Sequence, residues 1–116
     1  MLQHFHPCDL PNLLWALVSI DPNLPFLREL GYLVVERTND FQIEDLAAIS
    51  LSFQRANLFE DKTLQEGLSA ALCNREKLNR ATAQDLAMIC TAYAQAEIAD
   101  QDVFYATVED IIPYGT

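Results

Sequence analysis

Three segments of the 116-residue chain share one pattern, and this internal repetition constrains the fold more than any other feature of the sequence. The segments are DLPNLLWALVSI from residue 9, DLAAISLSFQRANLF from residue 45 and DLAMICTAYAQAEIA from residue 85. Each begins with Asp-Leu, places an aliphatic residue four positions after the Asp, and continues with small, aliphatic and aromatic residues at helical spacing. The three Asp residues are 36 and 40 positions apart, which is within the length range of two-helix solenoid units.

The first helix of each unit carries an apolar stripe at spacings of three, four and three residues, which is one face of an α-helix. The stripe residues are Leu10, Leu13, Leu17 and Ile20 in the first unit, Leu46, Ile49, Phe53 and Ala56 in the second, and Leu86, Ile89, Tyr93 and Ala96 in the third. Other sides of these helices are apolar as well, so each helix is expected to lie between neighbours. Leu13, Ile49 and Ile89 are predicted to be equivalent buried residues.

A second helix is predicted after each first one. Apolar residues recur at four-residue spacing as Phe104, Val108 and Ile112 in the third unit, as Leu64, Leu68 and Leu72 in the second, and, after a slip of two residues, as Phe26, Leu30 and Val34 in the first. The sequence therefore predicts an all-α fold without β-sheet, as one domain over residues 1–116. This domain is a short α-solenoid of about three antiparallel helix pairs, at about 6–38, 41–75 and 81–113.

Capping residues and prolines mark the predicted helix ends. The segment TAQD at 82–85 has the form of a capping box with Asp in place of Glu. In the first unit the helix can start at either of two places. A helix from near His6 has Pro7 at its first position, but Pro11 removes one early backbone hydrogen bond. A helix from Asp9 has Pro11 in its first turn, where no hydrogen bond is lost. Pro22 ends this helix in either case.

The chain is acidic, with 17 acids, 7 bases and a formal charge of −10. All Lys and Arg residues lie between Arg28 and Arg80, and the chain beyond Arg80 holds six acids without a base. Such a surface repels nucleic-acid phosphates and favours a protein partner with a basic surface. Glu97, Asp100 and Asp102 are predicted to form an acidic edge in the connection between the two helices of the third unit.

Catalytic and metal-binding patterns are absent from the sequence. Cys8, Cys73 and Cys90 form no C-x-x-C pair, so no disulfide framework or structural zinc site is expected, and Cys73 and Cys90 are predicted to be small buried apolar residues. The H-x-H-x-C pattern of His4, His6 and Cys8 lacks a fourth ligand and indicates an ordinary N-terminal arm. No nucleophile–base pair or glycine-rich phosphate loop can be assembled. We expect neither enzymatic activity nor a cofactor, metal or small-molecule substrate.

The repeated Asp-Leu start, the small-rich middle and the aromatic or Leu that follows resemble the heptatricopeptide and octotricopeptide repeats, with DLPNLLWAL as the closest stretch. The resemblance covers nearly the whole chain and implies an organellar, often mitochondrial, protein that binds RNA and is related to families with a C-terminal RAP domain. This chain differs from that pattern because it is acidic and ends in VEDIIPYGT without a RAP-like segment. No targeting segment or membrane span is visible in it.

The preferred functional interpretation is a non-catalytic accessory or scaffold subunit of a large mitochondrial complex, such as a ribosome, ATP synthase or respiratory complex. Neither end of the predicted solenoid has a polar cap, so other subunits are expected at both ends. The residues expected to contact them are Trp15 and the apolar run GYLVV (31–35) at the first end and Phe104, Tyr105, Ile111, Ile112 and Tyr114 at the last. The alternative is an organellar RNA-binding module that uses the basic cluster REKLNR, with Arg75, Lys77 and Arg80. A solvated connection between units is the simpler interpretation of that cluster.

Overall fold

A computed structural model describes residues 9–96, and this part of the chain is helical without a strand. Six α-helices follow one another: α1 (Leu10–Ile20), α2 (Leu27–Glu36), α3 (Ile43–Arg55), α4 (Lys62–Leu72), α5 (Arg75–Leu78) and α6 (Ala83–Gln95). Two 3-10 turns, Thr38–Asp40 and Leu58–Glu60, precede α3 and α4. The prediction of an all-α chain is confirmed over these residues. The second helix predicted for the third unit lies outside them.

Helix α3 occupies the middle of the described fold. It packs against α6 through the largest helix–helix contact, and it also contacts α1 and α4. Helix α2 packs against α1 and α4. The three helices that begin with the repeated Asp-Leu segments are therefore neighbours in the order α1, α3, α6, and the two helices that follow the first two segments contact each other.

The repeated Asp has the same role in α3 and α6 but a different one in α1. The Asp45 carboxylate accepts a hydrogen bond from the Gln42 backbone N–H at 3.1 Å, and the Asp85 carboxylate accepts one from the Thr82 N–H at 3.0 Å. The Thr82 hydroxyl in turn accepts from the Asp85 N–H at 3.1 Å, which completes the predicted capping box. Asp9 instead stands at the N-cap of α1, without a side-chain cap bond, and Pro11 lies in the first turn.

The predicted stripe is buried in α3 and α6 except at its last residues, Ala56 and Ala96, which are half-buried, and in α1 it is buried only at Leu10. Leu46, Ile49 and Phe53 are buried in α3, and Leu86, Ile89 and Tyr93 are buried in α6. In α1 the buried residues are Leu10, Leu14 and Val18, whereas Leu13 and Leu17 are half-buried and Ile20 is 76% exposed. Among the described helices, α1 makes its larger contacts with α2 and α3, and the face that it buries is rotated from the predicted stripe.

The second helices follow their predicted pattern except at the start of α2. Leu64, Leu68 and Leu72 are buried in α4, and Leu30 and Val34 are buried in α2. In contrast, Phe26 is the N-cap residue of α2 and remains 43% exposed, because Leu27 takes the buried position at the start of this helix.

Two glycines let α2 and α4 approach closely. A Cβ atom at Gly67 would lie 3.0 Å from the Cβ of Val35, and one at Gly31 would lie 3.1 Å from a Cδ atom of Leu64. The backbones of the two helices therefore lie closer together than larger residues would permit.

A polar contact fixes the same pair of helices at the start of α4. The Asp61 carboxylate caps α4 by accepting hydrogen bonds from the Thr63 and Leu64 N–H groups at 3.0 and 3.4 Å. Its second oxygen accepts from the Tyr32 hydroxyl of α2 and lies 3.8 Å from Nε of Arg28. The bond from Tyr32 is the main cause that lowers the pKa of Asp61, and the same bond raises the pKa of the Tyr32 phenol.

The interior polar groups of α3, α4 and α6 have partners. The hydroxyls of Ser69 and Tyr93 are 2.7 Å apart, which joins α4 to α6. The Ser50 hydroxyl donates to the carbonyl of Leu46 at 2.8 Å. The Phe59 ring lies between two other rings, at 5.8 Å from Phe53 and 5.0 Å from Tyr93 between centroids. These hydrogen bonds and ring contacts depend on orientation, so they restrict how the helices pack around an otherwise apolar core.

The prediction that Cys73 and Cys90 are buried is wrong. Cys73 is the C-cap residue of α4 and is exposed, and Cys90 is half-buried in α6. Cys73 is exposed because it follows the last buried residue of α4, Leu72, where the chain leaves the core.

The central position of α3 predicts a large effect of Ile49→Ala. Ile49 is fully buried, so the substitution should lower the free energy of unfolding by about 2–4 kcal/mol. The matched control is Ile20→Ala, the same chemical change at a 76% exposed position, with an expected change within about 0.5 kcal/mol. Urea unfolding followed by circular dichroism measures both. Equal effects of the two substitutions would contradict the described burial.

The contact between Tyr32 and Asp61 predicts a loss of stability in acid. The pKa of Asp61 is lower in the folded chain than its ordinary value of 3.8, so its ionised form stabilises the fold above that pH. This contribution is lost as the pH falls from 3.8 through the lower folded pKa. Tyr32→Phe and Asp61→Asn should therefore both show a weaker pH dependence of the unfolding free energy below about pH 4 than the wild type. Urea unfolding across this range measures it, and identical pH profiles would refute the prediction.

Candidate functional site

Trp15, the predicted interaction residue at the first end, is partly used inside the fold. Its side chain is half-buried on α1, and the guanidinium carbon of Arg55 lies 4.7 Å from the centroid of its ring. Arg55 stands in the last turn of α3, so this cation–π contact joins the end of α3 to the middle of the neighbouring helix α1. Arg55 is not among the predicted site residues, because it is 40 positions from Trp15 and no local pattern connects the two.

Other apolar side chains of the first helix pair are more open to solvent than Trp15. Ile20 and Phe26 are the exposed large hydrophobic residues of the described chain, and they flank the connection that contains Pro22 and Pro25. Helix α1 itself contains no charged residue. An apolar surface with no charge on its helix favours contact with another apolar surface over contact with nucleic acid or water.

The basic cluster that was assigned to the RNA alternative is a short helix and not a loop. Asn74 caps α5 by accepting a hydrogen bond from the Lys77 N–H at 3.2 Å, and Leu78 is buried beneath it. Arg75 and Arg80 are exposed, whereas Lys77 is half-buried. The prediction of a solvated connection is therefore wrong at Leu78, because the buried Leu78 side chain attaches this segment to the core.

Lys77 has a structural partner across the fold. Its ammonium group donates to the backbone carbonyl of Thr38, in the turn before α3. Burial lowers the pKa of Lys77, and the nearby carboxylate of Asp40 partly opposes that shift. Arg37 precedes Thr38 and is exposed, so this contact brings a further base near Arg75 and Arg80 that was not predicted from the sequence. Of the four bases in this region, Arg75 and Arg80 are exposed as an RNA contact requires, whereas Lys77 is bonded to Thr38 and Arg37 was not predicted.

A shallow cavity of about 170 Å³ lies beside Lys77, and its lining residues are Asn39, Phe41, Gln42, Glu76, Lys77 and Arg80. Phe41 is buried, so its ring is not open for stacking on a base. Glu76 places a carboxylate among the cations. Single-stranded nucleic acid is bound by grooves that combine positive charge with exposed aromatic rings, and this cavity supplies only part of that combination.

The other predicted site residues lie outside the described residues. These are the acidic residues Glu97, Asp100 and Asp102, the apolar residues Phe104, Tyr105, Ile112 and Tyr114, and the N-terminal His4, His6 and Cys8. Within residues 9–96 no group of three or more His, Cys, Asp or Glu side chains is placed to hold a metal ion. No helix in the same range is long and apolar enough to cross a membrane.

Two further cavities lie beside the C-terminal end of α3, and Asn57 and Glu60 line both of them. One of about 250 Å³ is lined by Gln54, Asn57, Phe59, Glu60, Gln95 and Ala96. The other, of about 310 Å³, lies between the α1–α2 connection and the turn after α3, with Pro22, Leu24, Arg28 and Asn57 in its wall. Both are open and lined mainly by amides, prolines and aliphatic groups, so neither presents a nucleophile beside a base.

Comparison with known proteins adds no identification. No protein-family model matches the chain, and no match is found among curated proteins or solved structures.

The Trp15–Arg55 contact predicts a measurable coupling between α1 and α3. In a double-mutant cycle of Trp15→Leu and Arg55→Met, the coupling free energy should be about 0.5–1 kcal/mol, because the cation lies over the ring at a partly exposed site. Arg55→Lys, which keeps the charge, should retain part of the coupling. Urea unfolding of the four chains gives the value, and strictly additive effects would rule the contact out as a source of stability.

Proposed function

We propose that the protein is a non-catalytic helical-repeat subunit that acts as a scaffold in a large organellar protein complex. The family resemblance places this complex in the mitochondrion. The observation that carries the proposal is the uncharged helix α1 at one end of the fold, with Ile20 exposed and Leu13 and Leu17 half-buried. Apolar surface of this kind stabilises association when a second protein covers it.

The proposal includes a short α-solenoid of three antiparallel helix pairs. It is supported by the neighbour order α1, α3, α6, by the contact of α2 with α4, and by the shared capping role of Asp45 and Asp85. In a solenoid each unit buries its apolar surface against the next, so an end unit with an apolar outer side requires a partner or a cap. The resemblance to heptatricopeptide and octotricopeptide repeats supports the organellar setting.

Charge supports a protein partner with Lys and Arg at its surface. Residues 97–116 contain five acids and no base, and the whole chain has a formal charge of −10. An acidic surface raises the rate of association with a basic protein and lowers the affinity for RNA. The RNA-binding alternative depends on Arg75, Lys77 and Arg80, and Lys77 already donates to Thr38.

Native gel electrophoresis of the tagged chain, followed by mass spectrometry of the co-migrating proteins, tests the proposal. We expect stoichiometric co-migration with a defined complex, and slower incorporation of a variant in which Glu97, Asp100 and Asp102 are changed to Lys. The matched control changes Glu44, Glu60 and Glu66 to Lys, three exposed acids of the described part with the same total change in charge.

The RNA alternative makes the opposite prediction. A chain that migrates alone, binds single-stranded RNA with a steep salt dependence, and loses that binding when Arg75 and Arg80 are changed to Gln would overturn the scaffold proposal. Circular dichroism of each variant confirms that the fold is retained.

A further inference from the structure

The outer side of the first helix pair has a defined composition. We call it the end face, and it consists of Leu13, Leu17 and Ile20 of α1 with Phe26 and Leu33 at α2. Ile20 and Phe26 are exposed, and the other three side chains are half-buried. The helical geometry of α1 and α2 shows that these five residues share one side of the pair.

The contacts of α2 fix the orientation of that helix. Tyr32 donates to Asp61, Gly31 lies against Leu64, and Val35 lies against Gly67, so these residues mark the side of α2 that faces α4. With 100° of rotation for each residue of an α-helix, Phe26 and Leu33 fall on the opposite side. They therefore point away from α4, towards the outside of the first helix pair.

The contacts of α1 fix its orientation in the same way. Its buried face contains Leu10, Leu14 and Val18, and Trp15 is turned towards Arg55 of α3. At 100° for each residue, Leu13, Leu17 and Ile20 lie on the side of α1 that is turned away from Trp15 and α3.

The end face repeats positions that are buried in the inner helices. Four and eight residues after the repeated Asp, α3 has Ile49 and Phe53 and α6 has Ile89 and Tyr93, all of them buried. Leu13 and Leu17 occupy the same two positions in α1. In α1 these side chains are only half-buried, packing in part against the core, whereas the same sequence positions of α3 and α6 are fully buried. A helix is the occupant whose shape fits this surface.

The charges around the end face indicate the chemistry of that helix. From Asp9 to Glu36 the chain contains four acids, Asp9, Asp21, Glu29 and Glu36, and a single base, Arg28. The Arg28 guanidinium lies beside Asp61 of the next unit. The end face is therefore an apolar centre in an acidic surrounding. A second copy of this chain would bring acidic borders together, whereas a partner with Lys or Arg beside its apolar stripe would complement them.

We propose that the end face binds an amphipathic helix of another protein, one with a Leu-type apolar stripe flanked by Lys and Arg. This inference rests on the proposed scaffold function and adds to it the contact surface and the chemistry of the partner. The apolar stripe supplies most of the affinity, and the basic flanks supply orientation and association rate.

Three synthetic helical peptides test the inference against the full chain by fluorescence anisotropy. The first has a Leu stripe with Lys flanks, the second has the same stripe with Glu flanks, and the third has Lys flanks with Ser in place of the stripe. We expect the first to bind at least about tenfold more tightly than either of the others. Equal binding of the first and second, or of the first and third, would overturn the proposal.

Variants of the chain locate the binding surface. Ile20→Asp adds a negative charge that would attract a Lys-flanked peptide, so a weakening of about tenfold would show that apolar contact dominates. Phe26→Ser keeps α2 capped, because Ser is a favourable N-cap residue, and should weaken binding similarly. The control is Ala94→Asp, the same added charge at an exposed position of α6, which should bind as the wild type does. Unchanged binding by Ile20→Asp would exclude the end face.

A second copy of the chain, or the chain's own N-terminal segment, on the end face would give different results from a partner helix. Native gels test the scaffold function independently of these experiments. A dimer in sedimentation velocity that is lost in Ile20→Asp, with no peptide bound, would assign the end face to a second copy and overturn the proposal. Peptide binding that appears only after removal of residues 1–8 would assign it to the chain's own N-terminal segment, with the same consequence. If Ile20→Asp and Phe26→Ser still co-migrate with the complex on native gels, the scaffold function stands and the end-face proposal fails.

Discussion

The burial of helix α3 on more than one side is the constraint on which the described fold depends. Ile49, Phe53, Leu46 and Ala47 are all buried, and α3 contacts α1, α4 and α6. Removal of apolar surface from water stabilises by roughly 25 cal/mol for each Å², so a helix with apolar residues on several sides is stable only when neighbours cover each of them. The positions of the other helices follow from this requirement.

Specific contacts then determine how the neighbours are placed. Apolar burial has little directionality, so it alone would permit α2, α4 and α6 to slide or rotate. The close approach at Gly31 and Gly67, the hydrogen bond from Tyr32 to Asp61 and the hydroxyl pair of Ser69 and Tyr93 each require one arrangement. A buried hydroxyl without its partner is costly, and for this reason the pair of Ser69 and Tyr93 disfavours other registers of α4 against α6.

The two sides of the first helix pair differ in the same way, because one makes specific contacts and the other presents apolar side chains. The side of α2 that faces α4 has small and polar residues that make defined contacts. The opposite side has Phe26 and Leu33, and the adjoining side of α1 has Leu13, Leu17 and Ile20, with α1 free of charge along its length. This contrast within one helix pair is why we place the partner at the end face and not at the basic edge, where Lys77 is already bonded to Thr38.

The sequence by itself determined the helical class and the main buried apolar residues of α3 and α6, which are Leu46, Ile49, Phe53, Leu86, Ile89 and Tyr93. Periodicity could do so because a helix with neighbours on several sides buries nearly all of its apolar stripe, and the capping signals of Thr82 and Asp85 are local. Only the tertiary structure decided which face of α1 is buried, because that depends on how many helices contact it. It also decided that Phe26 and Cys73 are exposed, since each lies at a helix end where the chain leaves the core. The contacts of Trp15 with Arg55 and of Lys77 with Thr38 join residues about 40 positions apart, and pairs at that separation are set by the packing of the helices and leave no signal in a local pattern.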